Sequence, residues 1–313
     1  MQLSFQHQHL AYAHGCLTYG AKEAAPQRLP LKAIDTILVD NHCQISAELL
    51  IKLAQQNTSL IVQVSRGLPV CTAAHSAGQR RVGVKKQWYA ITNQPEVSNL
   101  LARRLVLAKL RSQRKAISQL VKRTPNAHLD VLAVTHAPLP NLAADSELST
   151  LLGIEGAYAA KYFRALRHFT PAWGQFTKRQ KRPPTDPMNA LLSLSYTLYL
   201  EVITRELYNV GFEPLFGVLH KDSDYRMSLS CDVLELLRAK ADLWVLDLLD
   251  CTLSTQHFAT EDSKEGVYLN TLGKQIYYRA WFTHKALVLK NIVKYVRFFR
   301  KKVEQHAKST LSN

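Results

Sequence analysis

This chain is short of acid. Its 313 residues carry 24 Asp and Glu against 40 Lys and Arg, a formal charge of +16 at pH 7. Such an imbalance argues against a cationic partner and for an acidic one, either nucleic acid or an anionic membrane face. Cysteine is sparse as well: Cys16, Cys43, Cys71, Cys231 and Cys251 are odd in number, far apart and never in a C-x-x-C pair. That spacing excludes a zinc ribbon and a disulfide framework, and it suits reduced thiols in a cytoplasmic protein. No apolar run reaches the roughly 20 residues of a spanning helix; the longest, Ala190 to Ile203, is broken by Ser193, Ser195, Thr197 and Glu201. The opening residues lack the basic leader and apolar stretch of a signal peptide. Repeats and low-complexity tracts are missing too.

What is present is the composition of a globular protein, 47% hydrophobic and long enough for two buried cores. Residues 1–80 read as a β-rich domain. Ile34 to Val39 and Ser59 to Val64 are short runs of branched aliphatics between turn-forming residues. One helix interrupts them at Ser46 to Gln56, where Leu49, Leu50, Leu53 and Ala54 recur at helical spacing. Gly67, Gly78 and Gly83 punctuate a basic stretch, and residues 81–95 read as a linker. From 96 to 313 the pattern is helical. Val97 to Arg123 has no internal Gly or Pro, and Asp186-Pro187 opens a helix that Gly211 ends. Residues 252–270 suit a hairpin around Lys264-Glu265-Gly266, and a last helix runs from about Gly273 to Ala307. The fold class is α+β, a small β-rich N-terminal domain followed by a larger, mostly α-helical one.

Four residues in three segments draw attention for chemistry. Glu155 lies between Gly153 and Gly156 near the start of a helix expected over Ala157 to Leu166. It is either a first-turn acid favoured by the helix dipole or a ligand beside which glycines let a substrate approach. His220 ends an apolar run and is either a hydrogen-bonded structural histidine or a metal ligand. Asp232 and Glu235 share one face of a predicted helix; Glu235 could simply pair with Arg238 in a solvated bridge. Carboxylates with one imidazole suit a hard divalent cation, Mg²⁺ or Mn²⁺. Tyr162 is expected half-buried with its hydroxyl toward this site.

Basic residues form three clusters. Arg103, Arg104, Lys109, Arg111, Arg114, Lys115, Lys122 and Arg123 crowd one helix; Lys178, Arg179, Lys181 and Arg182 precede a proline pair; Arg297 to Lys302 end the last helix among aromatics. Each alone could be a solvated face. Together with the net charge they favour phosphate binding, and Arg226 could add a bidentate phosphate contact.

The segments G-I-E-G-x-x-A-x-x-Y-F (153–163), K-R-P-P-T-D-P-M-N-A-L-L-S-L-S-Y-T-L (181–198), G-V-L-H (217–220) and R-M-S-L-S-C-D-V-L-E (226–235) together resemble the CRISPR adaptation integrase family. Lys109-Leu110-Arg111-Ser112-Gln113 keeps part of that family's lysine, asparagine and glutamine pattern. The resemblance implies a metal-dependent DNA endonuclease/integrase that inserts prespacer DNA into a CRISPR repeat array. Glu155, His220 and Glu235 match the metal ligands, for Mg²⁺ or Mn²⁺, with Asp232 an auxiliary acid at the catalytic site. Double-stranded DNA, a homodimer and a small ferredoxin-like partner protein are implied too, the N-terminal domain serving dimerisation or partner docking. A non-catalytic DNA-binding scaffold is the alternative. A peripheral membrane protein would have only the last helix to lie on a bilayer.

Overall fold

Runs of branched aliphatics at Thr36–Asp40 and Ser59–Gln63 make two neighbouring strands of the first unit. A computed structural model describes every residue except 1, 6–7, 21–24, 35, 57, 64–69, 73–81, 144–145, 221–225, 262–263 and 312–313. The chain divides at Arg80 into two compact units. In the first, β1 (Gln2–Phe5), β5 (Thr36–Asp40), β7 (Ser59–Gln63) and β8 (Val70–Thr72) form one sheet in that order. β5 is parallel to β1 and β7, and β8 runs antiparallel at the edge. Thr36 to Val39 are all buried, as a strand covered on both faces must be. A second sheet orders β4 (Gln27–Pro30), β3 (Cys16–Gly20), β2 (His9–Ala13) and β6 (Gln44–Ile45). Helix α1 (Ala47–Gln55) is capped by Ser46, whose hydroxyl accepts the Leu49 N–H at 3.2 Å. It buries Leu49 and Leu53 in a core with Phe5, Leu10, Leu17, Ile37 and Leu60.

The second unit is helical. α2 (Val82–Thr92) lies where the sequence suggested a linker. Its glycine and lysines mask two apolar residues three apart, Trp88 and Ile91, which are buried. The Trp88 indole N–H donates to the Phe216 carbonyl at 2.8 Å. α3 (Pro95–Arg123) follows, then α4 (Leu129–Thr135) and α5 (Leu148–Arg167). α5 begins nine residues ahead of Ala157, the start expected from sequence, so Glu155 sits inside a helix rather than in its first turn.

α6 (Pro187–Val210) shows its bounds in its sequence. Asp186 accepts the Asn189 N–H at 2.8 Å, Pro187 fills the first position, and Gly211 ends the helix at φ +95°. Such a φ is strained for any residue with a Cβ. Beyond it come α7 (Ser228–Glu235) and α8 (Arg238–Cys251). β9 (Phe258–Glu261) and β10 (Lys264–Leu269) pair antiparallel. Lys264, Glu265 and Gly266, expected at the centre of the hairpin, belong to strand β10. α9 (Thr271–Leu311) closes the chain. Among the described residues no helix is long and apolar enough to cross a membrane. Cys16, Cys43, Cys231 and Cys251 are free thiols.

Asp186 is the joint of this unit. Its two oxygens hold the backbone and side-chain amides of Asn189, at 2.8 and 2.6 Å, and Asn189 in turn holds Lys178, Arg179 and Gln180. Asp186→Ala should therefore cost about 2–4 kcal/mol, through the missing cap and the unpaired buried amide groups. Urea unfolding measures it; a cost below about 0.5 kcal/mol, the scale of an ordinary surface substitution, would contradict this.

Candidate metal centre

Two glutamates from different helices meet at one cation. α5 carries Glu155 and α7 ends in Glu235, and the ammonium of Lys109 on α3 makes ion pairs with both. Lys109 and Glu235 are each 4% exposed, Glu155 19%. The other oxygen of Glu235 is held by Arg238 at 2.9 Å. Burial works to raise the pKa of Glu235, but Arg238 and Lys109 outweigh it and hold the carboxyl below its usual range. The solvated bridge weighed for Glu235 and Arg238 is therefore a buried one, which needs both partners.

Gly153 and Gly156 flank Glu155 on the exposed side of α5. A Cβ at either would meet nothing within 4 Å, so their cost to the helix, about 1 kcal/mol each, is not offset by packing among the described residues. They leave bare backbone beside a carboxylate.

His220 lies within electrostatic range of Glu235. Its orientation is fixed by Asp232, which is fully buried. One Asp232 oxygen accepts the N–H groups of Val218 and Leu219 at 2.6 and 3.0 Å. The other accepts the His220 N–H at 3.0 Å and lies 2.7 Å from its Nδ1. Asp232 thus directs both oxygens to one loop and to the His220 ring, the contacts of a positioning group. It leaves Nε2 as the ring nitrogen open to a ligand, the arrangement that commonly backs a metal-binding histidine. Gly217 permits the loop: a Cβ there would sit 2.7 Å from the His220 carbonyl and 3.0 Å from Asp232 Oδ2.

Behind Glu235 lies a second layer that the sequence did not reveal. Arg238 and Arg179 flank the Tyr196 ring at 4.9 and 5.4 Å. The Tyr196 hydroxyl donates to Asp242, as does that of Tyr162 at 2.8 Å. Tyr162 is fully buried rather than half-buried, and its hydroxyl points to Asp242. The Asp242 carboxyl is pushed up to about 6 by burial, against the pull of both tyrosines and both arginines.

The expected phosphate contacts divide. Arg104, Arg111, Lys178, Lys181, Arg182 and Arg226 are exposed, and Arg103 is half-buried. Arg114 instead donates to the carbonyls of Val134 and Ala137 at the end of α4, and Arg179 donates to Gln180, Asn189 and Ser193. Both guanidinium groups serve the fold. Lys181 has its pKa lowered, by burial first and then by Arg238, Arg179 and Lys109, with Glu235 opposing them; this places it at the rim of the same site.

A further cluster went unnoticed in the sequence. His128, Asp130 and His168 bring three donor atoms within 4.8 Å of one another, an arrangement able to hold a metal ion. Only the H-x-D spacing hinted at it, since His168 comes from the end of α5. Asp130 there also faces Arg164 at 3.5 Å and Arg167 at 3.8 Å, which already supply cationic charge.

A family profile described as "CRISPR associated protein Cas1" matches residues 3–283. CRISPR-associated endonuclease Cas1 1 of Thermodesulfovibrio yellowstonii is 29% identical over 271 residues, covering 84% of this chain and 83% of that one. A casposase bound to integration product superimposes with TM-score 0.78 at 17% identity, over 96% of this chain and 91% of the other. A Cas6-RT-Cas1–Cas2 complex gives 0.74 at 17% identity, over 98% of this chain and 35% of the other.

Asp242 makes the site's support pH-dependent. Its folded pKa of about 6 exceeds the ordinary 3.8, so between about pH 4 and 6 the folded state holds a proton that the unfolded state has released. Stability from this group is full below about 4 and falls as pH rises through 6. The difference in unfolding free energy between wild type and Asp242→Asn, followed by urea titration from pH 4 to 7, should change across that window. A pH-independent difference would place the titration elsewhere.

Proposed function

Because this chain belongs to the Cas1 family of CRISPR-associated integrases and endonucleases, we propose that Glu155, His220 and Glu235 hold the divalent cation, Mg²⁺ or Mn²⁺, of its spacer-integration chemistry. One observation carries the assignment. A carboxylate pair from α5 and α7 already encloses a cation, the Lys109 ammonium, beside a histidine whose Nδ1 is held by a carboxylate. Two carboxylate groups and one imidazole match the preferences of Mn²⁺ and Mg²⁺. When bound, such an ion would polarise the target phosphodiester and favour the alkoxide form of an attacking hydroxyl.

The chain's own residues do the rest. Asp232 holds the His220 ring in one orientation, and Arg238 holds Glu235. Lys181, Arg182 and Lys178, with Arg104 and Arg111 on α3, offer exposed cations to DNA backbone; Arg226 lies just before α7. The 3′-hydroxyl of an incoming DNA end attacks the phosphorus of a repeat phosphodiester. The new P–O bond forms as the bond to the repeat strand's 3′-oxygen breaks, and that oxygen takes up a proton. Bare backbone at Gly153 and Gly156 gives a strand room beside Glu155. Double-stranded DNA, as prespacer and repeat, is the substrate. A homodimer and a small ferredoxin-like partner complete the proposed assembly, with the N-terminal unit as the docking element. The likeness to a chain of a complex that contains Cas2 supports the partner protein.

Strand transfer from a prespacer duplex into a repeat duplex, with Mn²⁺ or Mg²⁺, tests the assignment. Glu155→Gln, His220→Ala and Glu235→Gln should each reduce it about 100-fold or more, and Asp232→Asn about 10- to 100-fold. DNA affinity of His220→Ala, measured without metal, should stay near wild type, because phosphate contacts elsewhere supply it. His168→Ala should remain active. The opposite pattern, activity abolished by His168→Ala and kept with His220→Ala, would move the metal to the His128 cluster. Full activity in all these variants would put the catalytic centre outside both clusters, and DNA binding without strand transfer in the wild type would leave a DNA-binding scaffold.

Salt titration of binding addresses the basic residues. Neutralising Arg104, Arg111 and Lys181 should reduce the slope of log affinity against log salt by about 0.9 for each duplex phosphate that the protein no longer neutralises. His220→Ala, measured without metal, should leave the slope unchanged. An unaltered slope in the triple variant would mean that DNA follows another path.

A further inference from the structure

Lys109 poses a physical problem. A divalent cation bound by Glu155 and Glu235 and the Lys109 ammonium both need those carboxylates, and like charges at that separation repel. Without Lys109, two carboxylates with 4% and 19% exposure would face one another with only Arg238, on Glu235, to balance them. The lysine therefore balances the pair in the metal-free protein, and a metal must displace it.

The displaced charge has few places to go. Lys109, Lys181 and Arg238 surround Glu155 and Glu235, three cations against two carboxylates. A divalent cation raises that local sum from about +1 to about +3. Counting Arg179, Asp186 and Asp242 behind them, and Asp232 against His220, lowers either value by two charges, so that the balance passes from about −1 to about +1. Lys181 feels the cations Arg238, Arg179 and Lys109, with Glu235 opposing them. Lys181 is exposed at the rim, so the surplus opens to solvent there. An anion entering beside Lys181 meets both the surplus and the released ammonium.

We propose that Lys109 is a transferable counter-cation: it neutralises Glu155 and Glu235 before the metal arrives and passes to the DNA phosphate when the metal binds, so that metal and DNA strengthen each other's binding. The inference rests on the ligand set proposed above. Linkage makes the effect reciprocal: DNA that draws Lys109 away frees the carboxylates for the metal by the same factor as metal frees Lys109 for DNA. Flexibility suits lysine to the part. Its ammonium is a point charge on a four-carbon stem, where arginine's planar fork would stay locked to a carboxylate.

The experiment is a Mn²⁺ titration followed by electron paramagnetic resonance. It uses the full chain alone and with a prespacer duplex ending in 3′-deoxynucleotides, which binds without reacting. In wild type, DNA should tighten Mn²⁺ binding about tenfold, within the range usual for coupled sites. Lys109→Met should bind Mn²⁺ more tightly than wild type without DNA, and DNA should then add nothing. Equal Mn²⁺ affinity in wild type and Lys109→Met, or the same DNA enhancement in both, overturns the proposal. His220→Ala separates the two readings: if it no longer binds Mn²⁺, the ligand set stands whatever Lys109 does, and if it binds Mn²⁺ normally, the ligand set itself falls. Should Lys109→Met fail to fold, NMR of the ¹⁵N-lysine ammonium groups in the wild type serves instead. One slowly exchanging signal should be present without metal, shift when diamagnetic Mg²⁺ is added, and shift again with DNA. A signal that Mg²⁺ leaves unchanged also overturns the proposal.

Discussion

Two carboxylates that face each other in a partly dry space must share a cation, and much of the helical unit is arranged around that requirement. Glu155 and Glu235 come from helices far apart in sequence, and Lys109 on a third helix joins them. Bringing three charged side chains together under apolar cover carries a desolvation cost that only close pairing offsets. The long helices α3, α5 and α6 bury a continuous apolar surface, and that core supplies the rigidity which keeps the charges in register. The same electrostatic need that a lysine meets in the metal-free protein is one that a divalent ion meets more strongly.

Support for the site comes in layers, each correcting the one inside it. Arg238 steadies Glu235, the Tyr196 ring lies against Arg238 and Arg179, and Asp242 receives the hydroxyls of Tyr196 and Tyr162. On the other side, Asp232 gathers three backbone N–H groups and the His220 ring. The Asp186–Asn189 pair pins residues 178–180 to the first turn of α6, and so fixes where Lys181 and Arg182 emerge. A substitution two layers out can therefore alter the site without touching a substrate.

Features that depend on local chemistry were legible in the sequence. The Asp186 cap, Pro187 and Gly211 bounded α6 because cap and terminator act within a few residues, and Ser46 opened α1 for the same reason. Local patterns misled where tertiary packing overrode them. Glycines made residues 81–95 read as a linker, yet Trp88 and Ile91 supply a buried face. Gly153 and Gly156 hid the first turns of α5, although a long helix packed on α3 tolerates both. Glu155, His220 and Glu235 stood out through their motifs, whereas their setting did not. Lys109, Arg114 and Arg179 looked alike as basic residues, and only packing separates a bridge between carboxylates, a helix-end tie and a link in an amide network. His128, Asp130 and His168 left almost no trace, being drawn together from two helices.

Anomalous diffraction at the manganese edge from crystals soaked in Mn²⁺ tests the site most directly. The expected result is a peak bounded by Glu155, Glu235 and His220 Nε2, with Lys109 moved off both carboxylates. A peak at His128, Asp130 and His168, with Lys109 still between the two glutamates, would contradict it.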